Sequence, residues 1–322
     1  MGIWSIKVFC SHSLISRPPH RGIFKNPTLQ ASDVTDVSAE FIADPFILLH
    51  DSKYYMFFEV LDKSSGKGVI GFATSENGER WNYEKIVLKE KYHLSYPYVF
   101  KFNDEFYMIP ESCEANRVLL YKAKNFPYEW DIAYELLNGS YVDSSIFQYD
   151  NKWWMLTGQS GNLHLFFSDS LEGEWQEHPK SPLITNNNNV TRPGGRVIVD
   201  ENKIYRYAQD GEPNYGSSVS VFEIKEISEK EYIEEEVNII LSGTNSKHDW
   251  RKDGMHSIDQ LKIKENEWLV AVDGHKLVKR NYLLWKLDRG ISKFKYLLIL
   301  VNLDFILSYE FPITTIYLVR NI

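Results

Sequence analysis

Five residues of different chemistry, Asp44, Tyr96, Asp143, Arg192 and His256, stand at steps of 52, 47, 49 and 64 residues along the chain. A second set trails them. Glu59 and Glu111 each lie 15 residues after the first-set residue of their own segment, and Gln209, Asp210 and Asp273 occupy the matching segment ends further on. If the fold gathers these side chains, two or three carboxylates around one pocket raise one another's proton affinity and give one protonated acid and one ionised base. That pairing is the usual equipment for breaking a glycosidic bond. Arg192 would supply a fixed cation for a carboxylate or phosphate, and His256 could donate a proton, bind a metal or fill space. Each residue also has a plain structural use. Asp44 before Pro45 is a common turn device, Glu59 and Glu111 could accept backbone hydrogen bonds, and Arg192 before Pro-Gly-Gly could bridge neighbouring segments.

The elements that carry these residues repeat. Ala43-Asp44-Pro45-Phe46-Ile47-Leu48-Leu49 runs through a turn at His50-Asp51-Ser52-Lys53 into Tyr54-Tyr55-Met56-Phe57-Phe58-Glu59, which reads as strand, tight turn, strand. The same grammar returns after Ser95, Val142, Thr191 and, more loosely, Met255. Each hairpin is followed by a second strand pair, and in three units that pair carries a tryptophan: Trp81, Trp130 and Trp175, expected to pack between units. Four strands per unit and five units predict an all-β, five-bladed β-propeller. The apolar runs lack the 3.6-residue period of a helical solenoid. Trp4 to Phe9 resembles the Trp-bearing outer strand of a blade and the fifth blade lacks one, so the N-terminal strand is expected to close the ring. Because the innermost strands line the central channel, residues at equivalent blade positions converge there.

Composition narrows the partners. The formal charge of −8 gives no electrostatic footprint for nucleic acid. Nine Trp, 20 Tyr and 18 Phe offer flat faces for sugar rings. Cys10 and Cys113 show neither a disulfide framework nor zinc spacing. The N-terminus lacks a basic leader and a cleavage site, and no apolar run reaches membrane-spanning length, so a cytoplasmic location is expected, with peripheral contact at the inner membrane face as an extension of it.

Taken together, Phe41-Ile42-Ala43-Asp44-Pro45-Phe46, His93-Leu94-Ser95-Tyr96-Pro97-Tyr98, Met108-Ile109-Pro110-Glu111-Ser112, Tyr141-Val142-Asp143, Arg192-Pro193-Gly194-Gly195-Arg196 and Tyr207-Ala208-Gln209-Asp210 resemble the propeller module at the N-terminus of plant glucosamine inositolphosphorylceramide transferases and of bacterial proteins of the same type. That module is similar, more distantly, to the five-bladed propellers of glycoside hydrolase family 43. Those hydrolases use an Asp base from the first blade, a second Asp that orients and tunes, and a Glu acid from a later blade. The resemblance implies that Asp44 matches the base and Asp143 the second Asp. Where the acid should stand, this sequence has Arg192, leaving Glu111 or Glu59 as substitutes. In the plant proteins a separate glycosyltransferase region follows the propeller, and none is expected after residue 275 here.

The expected protein is carbohydrate-active, an enzyme of glycosyl transfer or glycosidic-bond cleavage in surface glycan or glycolipid metabolism. Asp44, Glu111 and Asp143 are its catalytic candidates. Glu59, Tyr96, Arg192, Gln209, Asp210, His256 and Asp273 are its substrate-contacting candidates. No metal site is assigned and the cofactor is left open. The alternative is a non-catalytic glycan-binding propeller, which needs aromatic faces and hydrogen bonds but no matched acid and base. The propeller is assigned to residues 1–275 and a basic, apolar C-terminal extension to 276–322. The extension holds eight Lys or Arg against three acids, a charge of +5 against −13 for the remainder. Its apolar clusters at Tyr282 to Trp285 and Tyr296 to Val301 suit an anionic membrane surface, and packing on the propeller wall is the alternative.

Overall fold

The computed structural model describes residues 2–15, 26–212, 214–279, 281 and 283–294. The chain opens with β1 (Gly2–Ser11) and then lays down four antiparallel sheets in sequence order. Blade one is β2 (Ala39–His50), β3 (Lys53–Asp62), β4 (Lys67–Ser75) and β5 (Asn82–Leu88); blade two is β6 (Ser95–Phe102), β7 (Glu105–Glu111), β8 (Arg117–Asn125) and β9 (Glu129–Asn138). Blade three is β10 (Val142–Tyr149), β11 (Lys152–Gln159), β12 (Asn162–Ser168) and the two-residue β13 (Gln176–Glu177). In blade four the innermost strand is broken into β14 (Arg192–Pro193) and β15 (Ile198–Asp200), which both pair β16 (Lys203–Gln209), followed by β17 (Ser218–Ile227) and β18 (Tyr232–Ser242). Blade five is β19 (Ile258–Lys264), β20 (Glu267–Leu277) and β1. The five-bladed propeller is therefore the fold.

The local chemistry explains the hairpins. At the β2/β3, β6/β7 and β10/β11 turns both central residues are left-handed: Asp51 and Ser52, Asn103 and Asp104, Asp150 and Asn151. Two-residue turns of this type match the strand twist, and short polar side chains tolerate them. Inner strands are sandwiched between blades and read as near-continuous apolar runs, as in β4, whereas the outer β9 and β18 are mostly exposed. Trp81, Trp130 and Trp175 are buried and use one device in three blades. Each indole N–H donates back to a turn carbonyl, at Gly78 (2.9 Å), Pro127 (2.9 Å) and Leu171 (3.2 Å).

The ring closes through β1, with a correction to its expected place. β1 is the third strand of blade five, paired with β20 from Gly2 opposite Leu277 to Ser11 opposite Trp268. Beyond it, among the described residues, the edge carries only a bridge between Ile6 and Leu29. Among the described residues blade five thus has three strands where four were expected, because the N-terminal strand fills the third position and not the outer one. Trp4 accordingly faces the channel, where it stacks on His256, instead of packing between blades.

A helix over 283–294 follows. Lys63 pairs with Asp288 at 3.0 Å, Arg289 donates to the Lys63 carbonyl at 3.2 Å, and Ser38 and Ser292 hydroxyls meet at 3.2 Å, pinning it to blade one by its polar side. Leu283, Leu284, Leu287, Ile291 and Phe294 face outward, each more than half exposed. The expected apolar cluster at Tyr296 to Val301 lies outside the described residues, as does Tyr282.

Candidate functional site

The first three blades share a backbone device that aims their leading residues. Asp44 (φ 53°), Tyr96 (φ 45°) and Asp143 (φ 53°) are left-handed, and the strand register slips at each, between Ala43 and Phe46, Ser95 and Tyr98, and Val142 and Ser145. A bulge of this kind re-aims a side chain at the start of a strand. The left-handed conformation is tolerable for Asp but strained for Tyr. Pro45 and Pro97 fit here because a bulged residue needs no ladder N–H.

Asp44, Glu59, Glu111, Arg192 and His256 line one cavity of about 200 Å³ in the channel mouth, together with Trp4, Phe41, Ala43, His93, Ser95 and Tyr215. Asp44 is the most constrained of them. Its Oδ2 accepts from the Tyr96 N–H (3.2 Å), its own N–H donates to Asp273 Oδ2 (3.1 Å), and its Oδ1 lies 3.6 Å from His256 Nε2. Asp273 stands behind, wholly buried, accepting from the His256 and Ser257 N–H groups at 3.0 Å each, with its Oδ2 2.7 Å from His256 Nδ1. His256 is clamped between two carboxylates and stacked on Trp4 at 4.0 Å. Burial alone would strip its second proton, but Asp273 and Asp44 outweigh it and push the imidazole up to about 9. Burial lifts the Asp44 carboxyl well above the usual range, and the His256 cation offsets only part of that.

Opposite them, the Glu59 carboxylate lies 3.3 Å from His93 Nε2, while the Gly68 N–H donates to His93 Nδ1 at 2.9 Å. The Gly68 bond holds the ring in its Nε2–H form, and Glu59 raises its affinity for a further proton despite burial. Both Glu111 oxygens are engaged, with the Ser95 hydroxyl (3.0 Å) and the Cys113 N–H (2.9 Å). Asp143 is buried beneath Arg192, accepting from Arg192 Nε and from Gln209 Nε2 (2.7 Å). The Arg192 guanidinium lies 5.2 Å over the Tyr215 ring, and its two terminal nitrogens have no hydrogen-bond partner among the described residues.

The remaining sequence candidates stand apart. The Tyr96 ring is fully buried against Phe46, its hydroxyl 2.8 Å from the Ser145 hydroxyl, so its backbone serves the cavity and its side chain does not. Asp210 organises a loop by accepting from the Glu212 N–H (3.0 Å) and the Ser218 hydroxyl (3.3 Å). That loop carries Tyr215. Trp4, His93 and Tyr215 were not singled out from the sequence; Trp4 and His93 had a signal, lying within segments already quoted, whereas Tyr215 sits in an irregular loop with none.

A cation could also be held by Asp44, His256 and Asp273, whose ligand atoms lie within 4.8 Å of one another. The present geometry suits an imidazolium held by two carboxylates, since His256 Nδ1 faces Asp273 at hydrogen-bond distance. A metal would have to displace that proton.

Residues 2–275 match the family described as glucosamine inositolphosphorylceramide transferase 1, N-terminal. The protein named glucosamine inositolphosphorylceramide transferase 1 from Oryza sativa subsp. japonica is 32% identical over 265 residues, covering 78% of this chain and 36% of the rice protein. Its namesake from Arabidopsis thaliana is 33% identical over 300 residues, covering 86% of this chain and 39% of that protein. The chain therefore spans under two fifths of these relatives. Among solved structures, an α-L-arabinofuranosidase of glycoside hydrolase family 43 from Clostridium thermocellum superposes with a TM-score of 0.53 at 12% identity, over 70% of this chain and 80% of that one.

Proposed function

The chain belongs to the family of the N-terminal region of glucosamine inositolphosphorylceramide transferase 1, and from that premise we propose that its channel-mouth cavity binds a sugar and catalyses glycosyl transfer involving a glycolipid. One observation carries it: Asp44 is a buried, proton-avid carboxyl facing a cavity whose other wall is the cation Arg192. A carboxylate of raised proton affinity is a stronger base than an ordinary one, suited to taking a proton from an attacking hydroxyl. A departing phosphate needs no protonation, only a cation to hold its charge. Arg192 standing where similar hydrolases present an acid is therefore compatible with transfer from a phosphate-activated sugar. Asp143 would orient Arg192, and His256 with Asp273 would hold Asp44 in place.

Asp44→Asn is the test. Turnover of a nucleotide-activated sugar onto a glycolipid acceptor is expected to fall at least about 100-fold with the melting transition retained. Undiminished turnover in that variant would refute the assignment. The second reading, a glycan-binding module without catalysis, has an observation in its favour: Glu111 has both oxygens occupied and is poorly placed to act as an acid. Tight sugar binding by the wild type with no product after prolonged incubation would establish it.

The glycolipid reading implies contact with a membrane surface, for which the 283–294 helix is suited. It turns five large apolar side chains outward and carries Lys286 and Lys293 among them, in the basic part of an acidic chain. No helix among the described residues is long and apolar enough to cross a membrane. Co-sedimentation with phosphatidylglycerol vesicles at low salt is expected, and Leu287→Glu with Ile291→Glu should abolish it. Equal sedimentation of the double variant would rule the helix out as the contact.

A further inference from the structure

A second cavity, of about 300 Å³, adjoins the first between blades three and four. The two have only Arg192 and Tyr215 in common, and their chemistry is opposite. The channel-mouth cavity is lined by three carboxylates, Asp44, Glu59 and Glu111, which would repel an anion. Among the described residues no carboxylate lines the side cavity itself; Asp143 lies behind it, bonded to Arg192 and Gln209, and Glu212 accepts from the Asn188 amide at 2.6 Å. The cavity's own polar groups are amides and hydroxyls, among them Gln159, Ser160, Asn188, Thr191 and Gln209.

The side cavity is also built. Gly158 lets the end of β11 approach the 191–192 backbone, where a Cβ would meet Val142 Cγ2 at 3.0 Å and the Thr191 carbonyl at 3.3 Å. Its rim is fixed by backbone bonds from Asn187 to Gly161 (3.0 Å) and from Gly211 to Asn188 (2.9 Å). Gln209 adds an independent sign of an absent partner. Its Nε2 donates to Asp143 (2.7 Å) and to the Pro193 carbonyl (2.8 Å), which fixes the amide's orientation, and its Oε1 is buried with no hydrogen-bond partner. A buried acceptor left in that state costs stability until a donor arrives.

We propose that the side cavity is a binding site for a polyol ring bearing a phosphate or carboxylate, with the anionic group on Arg192 and a ring hydroxyl donating to Gln209 Oε1. The guanidinium is charged, is oriented by Asp143 through Nε, and is backed by the Tyr215 face, so its two remaining nitrogens present a planar fork. An anion on that fork is stable only on the side away from Asp44, Glu59 and Glu111. The inference rests on the sugar reading of the neighbouring cavity for its biological meaning, since a substrate lying across Arg192 would place one ring in each.

Calorimetric titration of the full chain with glucose 1-phosphate, glucuronate, glucose and inorganic phosphate tests it. Glucose 1-phosphate or glucuronate, whichever anion is recognised, is expected to bind at least tenfold more tightly than glucose and than phosphate alone. Ser160→Asp places a charge at an exposed, left-handed rim position that Asp tolerates, and Gln159→Glu changes charge without changing size. Each should weaken the acidic sugar at least tenfold and leave the melting transition in place. Equal affinity for glucose and both acidic sugars, absence of binding by both, or indifference to both rim variants overturns the proposal. A wild type that binds the acidic sugar yet shows no turnover overturns the catalytic reading and leaves this one standing.

Discussion

Two arginines four residues apart in blade four, Arg192 and Arg196, each pair with an aspartate from a neighbouring blade and do opposite work. Arg196 lies inside the channel, donating from Nε to Asp259 Oδ1 at 2.8 Å and from Nη2 to the Val99 carbonyl at 2.9 Å, with its guanidinium 4.6 Å from the Tyr98 ring centroid. Asp259 in turn accepts from the Ile47 N–H at 2.6 Å, so one pair ties blades one, two, four and five. Arg192 holds Asp143 by one nitrogen and leaves the others facing cavity space, with a third of its side chain exposed. The same two residue types therefore tie blades together where both Nε and Nη2 find acceptors within the protein, and leave donors open to a cavity where only Nε does.

The sharpest way to break this comparison is to remove each arginine. Arg196→Met strands the fully buried Asp259 carboxylate and should cost about 3–5 kcal/mol of unfolding free energy, read from urea denaturation. Arg192→Gln keeps a donor for Asp143, which also retains Gln209, and should cost only about 1 kcal/mol while abolishing anion binding. Equal losses in the two variants would mean that the pairs are not different in kind.

A smaller effect distinguishes the regions by pH. His256 has its proton affinity raised in the fold, from an ordinary value near 6.5 to about 9, chiefly by Asp273 and Asp44 against the opposing effect of burial. The native state binds the proton more tightly than the unfolded chain. This contribution is thus complete below about pH 6.5 and lost as pH rises through about 9, on the order of 1–3 kcal/mol. Melting temperature should decline across that window in the wild type, and the decline should flatten in His256→Gln. A wild-type curve flat between about pH 6.5 and about 9 would contradict the imidazolium assignment.

Much of this was legible in the sequence. The turn pairs Asp51-Ser52, Asn103-Asp104 and Asp150-Asn151 mark hairpins, and the spacing of Asp44, Tyr96, Asp143, Arg192 and His256 yields five blades. Convergence of Asp44, Glu59, Glu111, Arg192 and His256 follows from blade equivalence alone. Equivalence fixes backbone position, however, and not side-chain direction. Tyr96 sits where Asp44 and Asp143 sit, yet as a large aromatic ring it turns into the core between blades. Tyr215 was hidden because its position depends on a loop shaped by Asp210, and Trp4 because a strand's rank within a blade is set by which edge is vacant, a property of the whole ring.

That ring closure has a consequence for how the protein is made. β1 precedes the four other blades along the chain and its partner β20 follows them, so the earlier strand waits unpaired while those blades form. Bringing the two together closes the longest loop in the molecule, a slow event on topological grounds. Trp4 rides on β1 and stacks on His256, which means that the channel-mouth cavity lacks a wall until that moment. A nascent or nicked chain with four finished blades would carry most of its surface and none of its completed pocket, and binding competence would report the last step of folding.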